Sequence, residues 1–250
     1  RCDFHELEGL QRYNSFVKAC FVDQADKDYI SARANYRMEL WPQFYWAGMQ
    51  AVEKYLKAIL LYHKQSSKCG GHDLERLFGK VMALQDPVIF FPNDVAEFMG
   101  HLTTYGNNRY FSRSVSFDGP ELLRLDCTVW HARRYAVCLD QPSEWFYPWT
   151  RKSFIDLLII ETHSANPEQT YLHGGALTKV LEKVADDPAR QALVWCNRYF
   201  GDQASLSSPP PNIYRWHMPP HMVDPLVYEV VAPLVHFDKM EHAHFKRALL

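Results

Sequence analysis

The chain has 250 residues, with 27 basic and 29 acidic side chains, 47% hydrophobic residues and a formal net charge of −2. That composition describes one large or two small globular domains burying on the order of 70% of the unfolded surface, which excludes a disordered chain and needs no disulfide or metal staple. The longest strictly apolar runs, Ala58 to Tyr62, Tyr135 to Leu139 and Ala192 to Cys196, fall far short of the roughly 20 residues of a membrane-spanning helix.

Near-neutral charge argues against coating nucleic acid by charge alone, although a local basic patch remains compatible with it. The cysteines are scattered, and no two stand at the spacing of a zinc site or a redox dithiol, so they read as free thiols. The chain opens on Arg1 and its first stretch has no apolar signal-peptide centre; a cytoplasmic protein is expected.

In chain order, residues 1–21 form an N-terminal segment, and the first predicted helix runs from about Asp23 to Leu40. Asp23 or Asp26 can cap it, and Trp41-Pro42 forces its end. A second helix follows from about Gln43 to Lys64. Gln50, Glu53, Lys54 and Lys57 fall within an arc of about 100° on its wheel, opposite Met49, Val52, Tyr55, Leu56, Ile59 and Tyr62. After Gly70-Gly71, Asp73 can cap a third helix to about Leu84; a fourth covers Asp94 to Tyr105, and a fifth Glu121 to Leu139. Short links between these helices predict an all-α antiparallel bundle of four to five helices over residues 22–140.

Four of the fifteen prolines precede residue 141 and the rest follow it, which places a boundary there and makes 141–250 a mostly helical C-terminal extension. Helices are predicted at Lys152 to Thr162, Ala176 to Ala185 and Pro188 to Tyr199. Leu226 to Val235 reads equally as a helix interrupted by Pro233 or as a short strand.

The stretch Phe44-Tyr45-Trp46-Ala47-Gly48-Met49-Gln50-Ala51-Val52-Glu53-Lys54-Tyr55-Leu56-Lys57-Ala58 resembles the A-x-Q-A-x-E-K-x-L-K-A signature of HEPN domains. Upstream, Asp28-Tyr29 and Ala32-Arg33 resemble that family's first helix. Downstream, His72-Asp73-Leu74 resembles the start of its third, and Asn108-Arg109-Tyr110 the Arg-Tyr before its last. The resemblance spans about residues 22–140 and implies a helical bundle, a homodimer and a place in prokaryotic toxin–antitoxin or defence systems. One branch of the family comprises nucleotide-binding or partner modules encoded beside a nucleotidyltransferase-type protein. The other comprises metal-independent endoribonucleases with an Arg-x(4 to 6)-His motif. Neither branch implies a cofactor or a metal.

Two pairs satisfy the ribonuclease spacing, Arg124 with His131 and Arg215 with His221, a number that composition alone supplies. Only the first lies in a predicted bundle helix. Seven residues are two helical turns, which puts Arg124 and His131 on one face roughly 10 Å apart along the axis. His131 can move a proton and Arg124 can stabilise phosphate charge, although Leu125 stands where a polar residue is common in the motif.

The nucleotide-binding candidates are Lys54 and Lys57 as point charges, Arg109 as a bidentate phosphate ligand, and Tyr110 or Tyr105 as a stacking partner for a base. Beside that reading, Glu53 and Lys57 at i, i+4 form a structural ion pair on a solvated face, His72 helps a helix start, and Asp26 and Asp28 are first-turn residues favoured by the helix dipole. His236, Asp238, Glu241, His242 and His244 are of metal-ligand type, but a helix would point His242 and His244 apart, and they read as solvated. P-loop, dinucleotide-binding, nucleophile-elbow and zinc-protease motifs are absent from the sequence. Nucleotide or RNA binding is therefore the first reading; metal-independent cleavage through Arg124 and His131, and a non-enzymatic interaction module, are the alternatives.

Overall fold

The computed structural model describes residues 4–68, 72–84, 89–108, 115–117, 120–139, 174–201, 215–217 and 225–234. Within them the elements are α1 (Phe4–Val17), a π turn (Lys18–Val22), α2 (Asp23–Arg37), α3 (Trp41–Tyr62), α4 (Leu74–Met82), α5 (Asn93–Gly106), β1 (Val115–Phe117), α6 (Glu121–Leu139), α7 (Gly175–Leu181), α8 (Pro188–Val194), β2 (Arg215–His217) and α9 (Pro225–Val231). The fold is all-α, with one two-stranded antiparallel ladder in which Ser116 pairs with Trp216.

α3 is the central helix and packs against α1, α2, α4, α5 and α6. Its apolar face, including Met49, Val52, Tyr55, Leu56 and Ile59, is wholly buried. Pro42 sits in its first turn, where no backbone donor is lost. A methyl group at Gly48 would come within 3.1 Å of Leu125 Cδ1, so the glycine lets α6 cross close to α3. At the other crossing a methyl on Gly106 would lie 2.7 Å from Met49 Sδ.

The first helix starts at Asp23 as predicted, but its predicted capping is corrected. α2 does not begin at a capped Asp23; the chain runs in from α1 through the π turn, Val22 is itself helical at φ −66°, ψ −51°, and no side chain caps it. No proline or glycine lies between Leu10 and Ala47 except Pro42, so nothing interrupts the hydrogen-bond ladder there, which lengthens by one residue and continues. α1 is tied to α3 by Tyr13, whose hydroxyl donates to the Leu61 carbonyl at 2.9 Å and whose ring carries Lys64 Nζ at 3.1 Å.

Asp73 caps α4 as predicted, accepting from the Arg76 N–H at 2.9 Å. Asp73→Ala is expected to lower stability by about 1 kcal/mol, read as a shift of the urea midpoint; an unchanged midpoint would show that the cap contributes nothing.

α7 and α8 pack on α2, and Leu177, Leu193 and Phe200 join the core of the bundle. The segment left between helix and strand, Leu226 to Val235, is helical over Pro225–Val231 and turns out at Ala232 to Leu234. The helix predicted at Lys152 to Thr162 and the His236 to His244 group lie outside the described residues.

Two buried ion pairs hold this packing. Arg133 Nε donates to Asp26 Oδ1 at 2.9 Å and Arg33 to Asp126, all four side chains being fully buried. The pairs are mirror images, an Asp and an Arg seven residues apart on α2 facing an Asp and an Arg seven apart on antiparallel α6. The C-terminal segment adds further hydrogen bonds to both pairs: Leu177 N–H donates to Asp26 at 2.8 Å, Arg133 to the Gly174 carbonyl at 2.6 Å, and Arg33 to the carbonyls of Ala192 and Trp195. Tyr55 donates to Asp26 and Tyr29 to Asp126. Burial and then the neighbouring carboxylates push both phenols well above their ordinary pKa, so they remain donors. Asp26, in the first turn of α2 as expected, is thus also a core anchor.

Candidate nucleotide or RNA site

The polar arc of α3 is a connected cluster. Glu53, only 3% exposed, accepts from Lys57 Nζ at 2.6 Å and from His72 Nδ1 at 2.8 Å. Gln50 donates to the same carboxylate at 3.3 Å and accepts from Lys54 Nζ at 3.3 Å. Lys54 also pairs with Asp28 of α2, and the Trp46 ring meets the His72 ring edge-on at 5.2 Å.

The expected Glu53–Lys57 ion pair is present, but its carboxylate is not on a solvated face. The wheel places Glu53 correctly; the turn before α4 then folds His72 over it. Burial acts to raise the Glu53 carboxyl, yet the hydrogen bonds and charges of Lys57 and His72 outweigh burial and hold it below the ordinary carboxylate value. Glu53 is therefore ionised at neutral pH, and the stability this adds is lost as pH falls through its lowered pKa. The His72 side chain is part of this cluster, and the first-turn donors of α4 are met by Asp73 and by the Thr103 hydroxyl, which accepts from the Leu74 N–H at 3.1 Å.

Lys54 and Lys57 remain about a quarter exposed and His72 more so, with side-chain values of 26%, 25% and 41%. Each ammonium has three donors. Lys57 spends one on Glu53, and Lys54 spends two, on Asp28 and Gln50. Asn107, closing α5, donates to the His72 carbonyl at 3.3 Å; Arg109 and Tyr110, which follow it in sequence, lie outside the described residues.

Arg124 and His131 both lie half-buried on α6, two turns apart. Arg124 Cζ sits 4.7 Å over the Phe98 ring and 3.9 Å separates its NH1 from Glu121. The His131 ring packs edge-on against Trp130 at 4.9 Å and near Phe91 at 6.4 Å. Of the other sequence pair, Arg215 opens β2 and His221 lies outside the described residues.

Residues 20–119 match the family model of the HEPN domain. This part of the chain is a HEPN domain. No curated protein and no solved structure matches the chain. The HEPN domain associates the protein with nucleotide- or RNA-related function, and no helix among the described residues is long and apolar enough to cross a membrane. The domain match opens inside the π turn and ends beyond β1, so α6, which supplies Arg133 and Asp126 to the buried pairs, follows it.

Two features escaped sequence reasoning. The mirrored Asp-x6-Arg spacing in α2 and α6 was a usable signal for the buried pairs. His101 was not singled out, although it stands on the stripe of Phe98, Leu102 and Tyr105 at helical spacing, where a histidine must find a polar partner.

Proposed function

We propose that this HEPN-domain chain binds nucleotide or RNA through the α2–α3 cluster, with Lys54 and Lys57 taking phosphate and Arg109 and Tyr110 completing the site. The observation that carries the reading is the buried, ionised Glu53, which holds His72 and Lys57 at a half-exposed surface beside Lys54. Such a framework costs stability to build unless its charges are used or fully paired. Two N–H donors of Lys57 remain for a phosphate, and Trp46 with His72 offers ring surface beside them. The homodimer, a nucleotidyltransferase-type partner and a role in a prokaryotic toxin–antitoxin or defence system rest on family resemblance.

Fluorescence anisotropy with a short mixed-sequence RNA, and competition by ATP, tests the reading. Replacing Lys54 and Lys57 together by Gln is expected to weaken binding about tenfold or more and to lower the slope of log affinity against log salt by about one to two. Parent protein that binds neither probe, or a double variant with unchanged affinity and slope, would remove the site.

Metal-independent cleavage is the second reading. It is favoured by the part-exposed Arg124 guanidinium held over the Phe98 ring, a position from which it can grip phosphate.

A further inference from the structure

His72, in the turn before α4, reaches back to the buried Glu53 of α3. Its Nδ1 lies 2.8 Å from Glu53 Oε2, and Lys57 Nζ lies 2.6 Å from Oε1 of the same carboxylate. An ionised carboxylate only accepts, so Nδ1 carries a hydrogen, and Nε2 is the nitrogen that gains or loses a proton. Gln50 Nε2, 3.3 Å from Nδ1, donates to the carboxylate instead. Nε2 of His72 makes no hydrogen bond among the described residues, and the side chain is 41% exposed. Asn107 holds the His72 carbonyl from α5, and the Trp46 ring meets the imidazole edge-on.

The charges around this ring are nearly balanced. The ammoniums of Lys54 and Lys57 are matched by the carboxylates of Asp28 and Glu53. The first turn of α4 adds one charge of each sign, Arg76 and Asp73, whose carboxylate is turned onto the Arg76 amide. Glu75 lies against Gly100, two turns of α5 away from Asn107, and α5 presents the uncharged Thr103 and Asn107 to this turn. The cluster is therefore neutral while Nε2 is bare, and it gains one positive charge when Nε2 takes a proton.

We propose that this cluster receives a terminal phosphate, the monoester of a nucleotide or of an RNA 5′ end, and that protonated His72 is its third cationic ligand beside Lys54 and Lys57. This deepens the binding reading above and rests on it. An internal phosphodiester brings a single charge and two free oxygens. A terminal phosphate brings about 1.5 to 2 charges and three acceptor oxygens, enough to give one oxygen to each of Lys54, Lys57 and His72. The additional ligand charge is offset by the proton on Nε2, so the anion favours the charged imidazole and the charged imidazole favours the anion by the same factor. Glu53 accepts from Nδ1 in both states of the ring, which keeps Nε2 aimed outward whether or not it is protonated.

The test uses the full chain and two matched pairs of probes, a short RNA carrying a 5′-phosphate or a 5′-hydroxyl, and AMP or adenosine. Fluorescence anisotropy reads the RNA pair and calorimetry the nucleotide pair, both from pH 6.5 to 8.5. Calorimetry at pH 7 in buffers of different ionisation heat counts the protons taken up. In at least one pair the phosphorylated probe is expected to bind about tenfold tighter or more at pH 6.5, a preference that shrinks about fivefold by pH 8.5. Binding should take up about half a proton per phosphate at pH 7; a phosphate monoester entering a cationic site gives protons up, so uptake belongs to the protein. His72→Gln is expected to bind about tenfold more weakly at pH 6.5, to match the parent at pH 8.5 and to take up no proton. Preference in the AMP pair alone assigns the site to free nucleotide, and in the RNA pair alone to 5′ ends. A parent that binds none of the probes removes the binding reading and this assignment together. Binding that Lys54 and Lys57 support but that ignores the terminal phosphate, or that keeps its pH dependence in His72→Gln, overturns the assignment alone. Should His72→Gln fail to fold, the parent's proton count decides, and no net uptake overturns the assignment.

Discussion

Arg133→Met is expected to destabilise the chain by about 3–5 kcal/mol, because it leaves the Asp26 carboxylate buried without its counter-charge. The side chain of Asp26 is completely buried, and three groups from three elements converge on it: Arg133 of α6, Tyr55 of α3 and the Leu177 amide of α7. Removing the guanidinium leaves a charge that the phenol and one amide cannot neutralise. Asp26→Asn in the same chain removes the charge and keeps one of the two acceptor oxygens, for Tyr55 or for the Leu177 amide, so the double variant should be more stable than Arg133→Met alone. Urea unfolding measures the free energies. Hydrogen exchange at the Leu177 amide, expected to quicken in Arg133→Met, reads the local loosening of the C-terminal segment. A single variant within 1 kcal/mol of the parent would mean that the pair does not hold α6 to α2.

Gly175→Ala attacks the same junction from its other side. Gly175 has φ +71°, and a methyl group there would lie inside the van der Waals distance of Asp26 Oδ2 and 3.5 Å from Arg133 NH2. The left-handed backbone alone costs about 1–2 kcal/mol for a residue with a Cβ. The methyl must also push the carboxylate off the Leu177 amide, and a buried hydrogen bond lost this way costs a further ~1–3 kcal/mol. The expected sum is on the order of 2–5 kcal/mol, within the range of Arg133→Met. The two effects should be far from additive, since both act on one carboxylate. An alanine variant that unfolds at the parent's urea concentration would refute the close approach.

Much of the bundle was legible along the chain. The fifth predicted helix, Glu121 to Leu139, coincides with α6, and those at Asp94 to Tyr105 and Asp73 to Leu84 lie within two residues of α5 and α4 at each end. These helices carry an apolar stripe between recognisable start and stop residues, and both signals are local. The start of α2 at Asp23 was legible, but the absence of a cap there was missed for the complementary reason. A helix that continues through a π turn has no stop signal to read, and an aspartate in an uncapped helix looks the same as one in a first turn.

The α3 cluster divides along the same line. The Gln50, Glu53, Lys54 and Lys57 arc and the i, i+4 ion pair follow from helical geometry, which the sequence by itself determines. That Glu53 is buried depends on His72, nineteen residues away, and that Lys54 is held by Asp28 depends on α2 lying alongside α3. Arg124 was found from its spacing to His131, yet the imidazole that shares a carboxylate with it is His101, twenty-three residues upstream on the neighbouring helix. Helix periodicity, caps and the family signature are properties of residues within a few turns of one another, so the sequence alone determined them. The mirrored ion pairs, the burial of Glu53 and the His101–Glu121–Arg124 group were decided by tertiary structure, because burial and charge pairing depend on which helix faces lie together, and sequence distance does not report that.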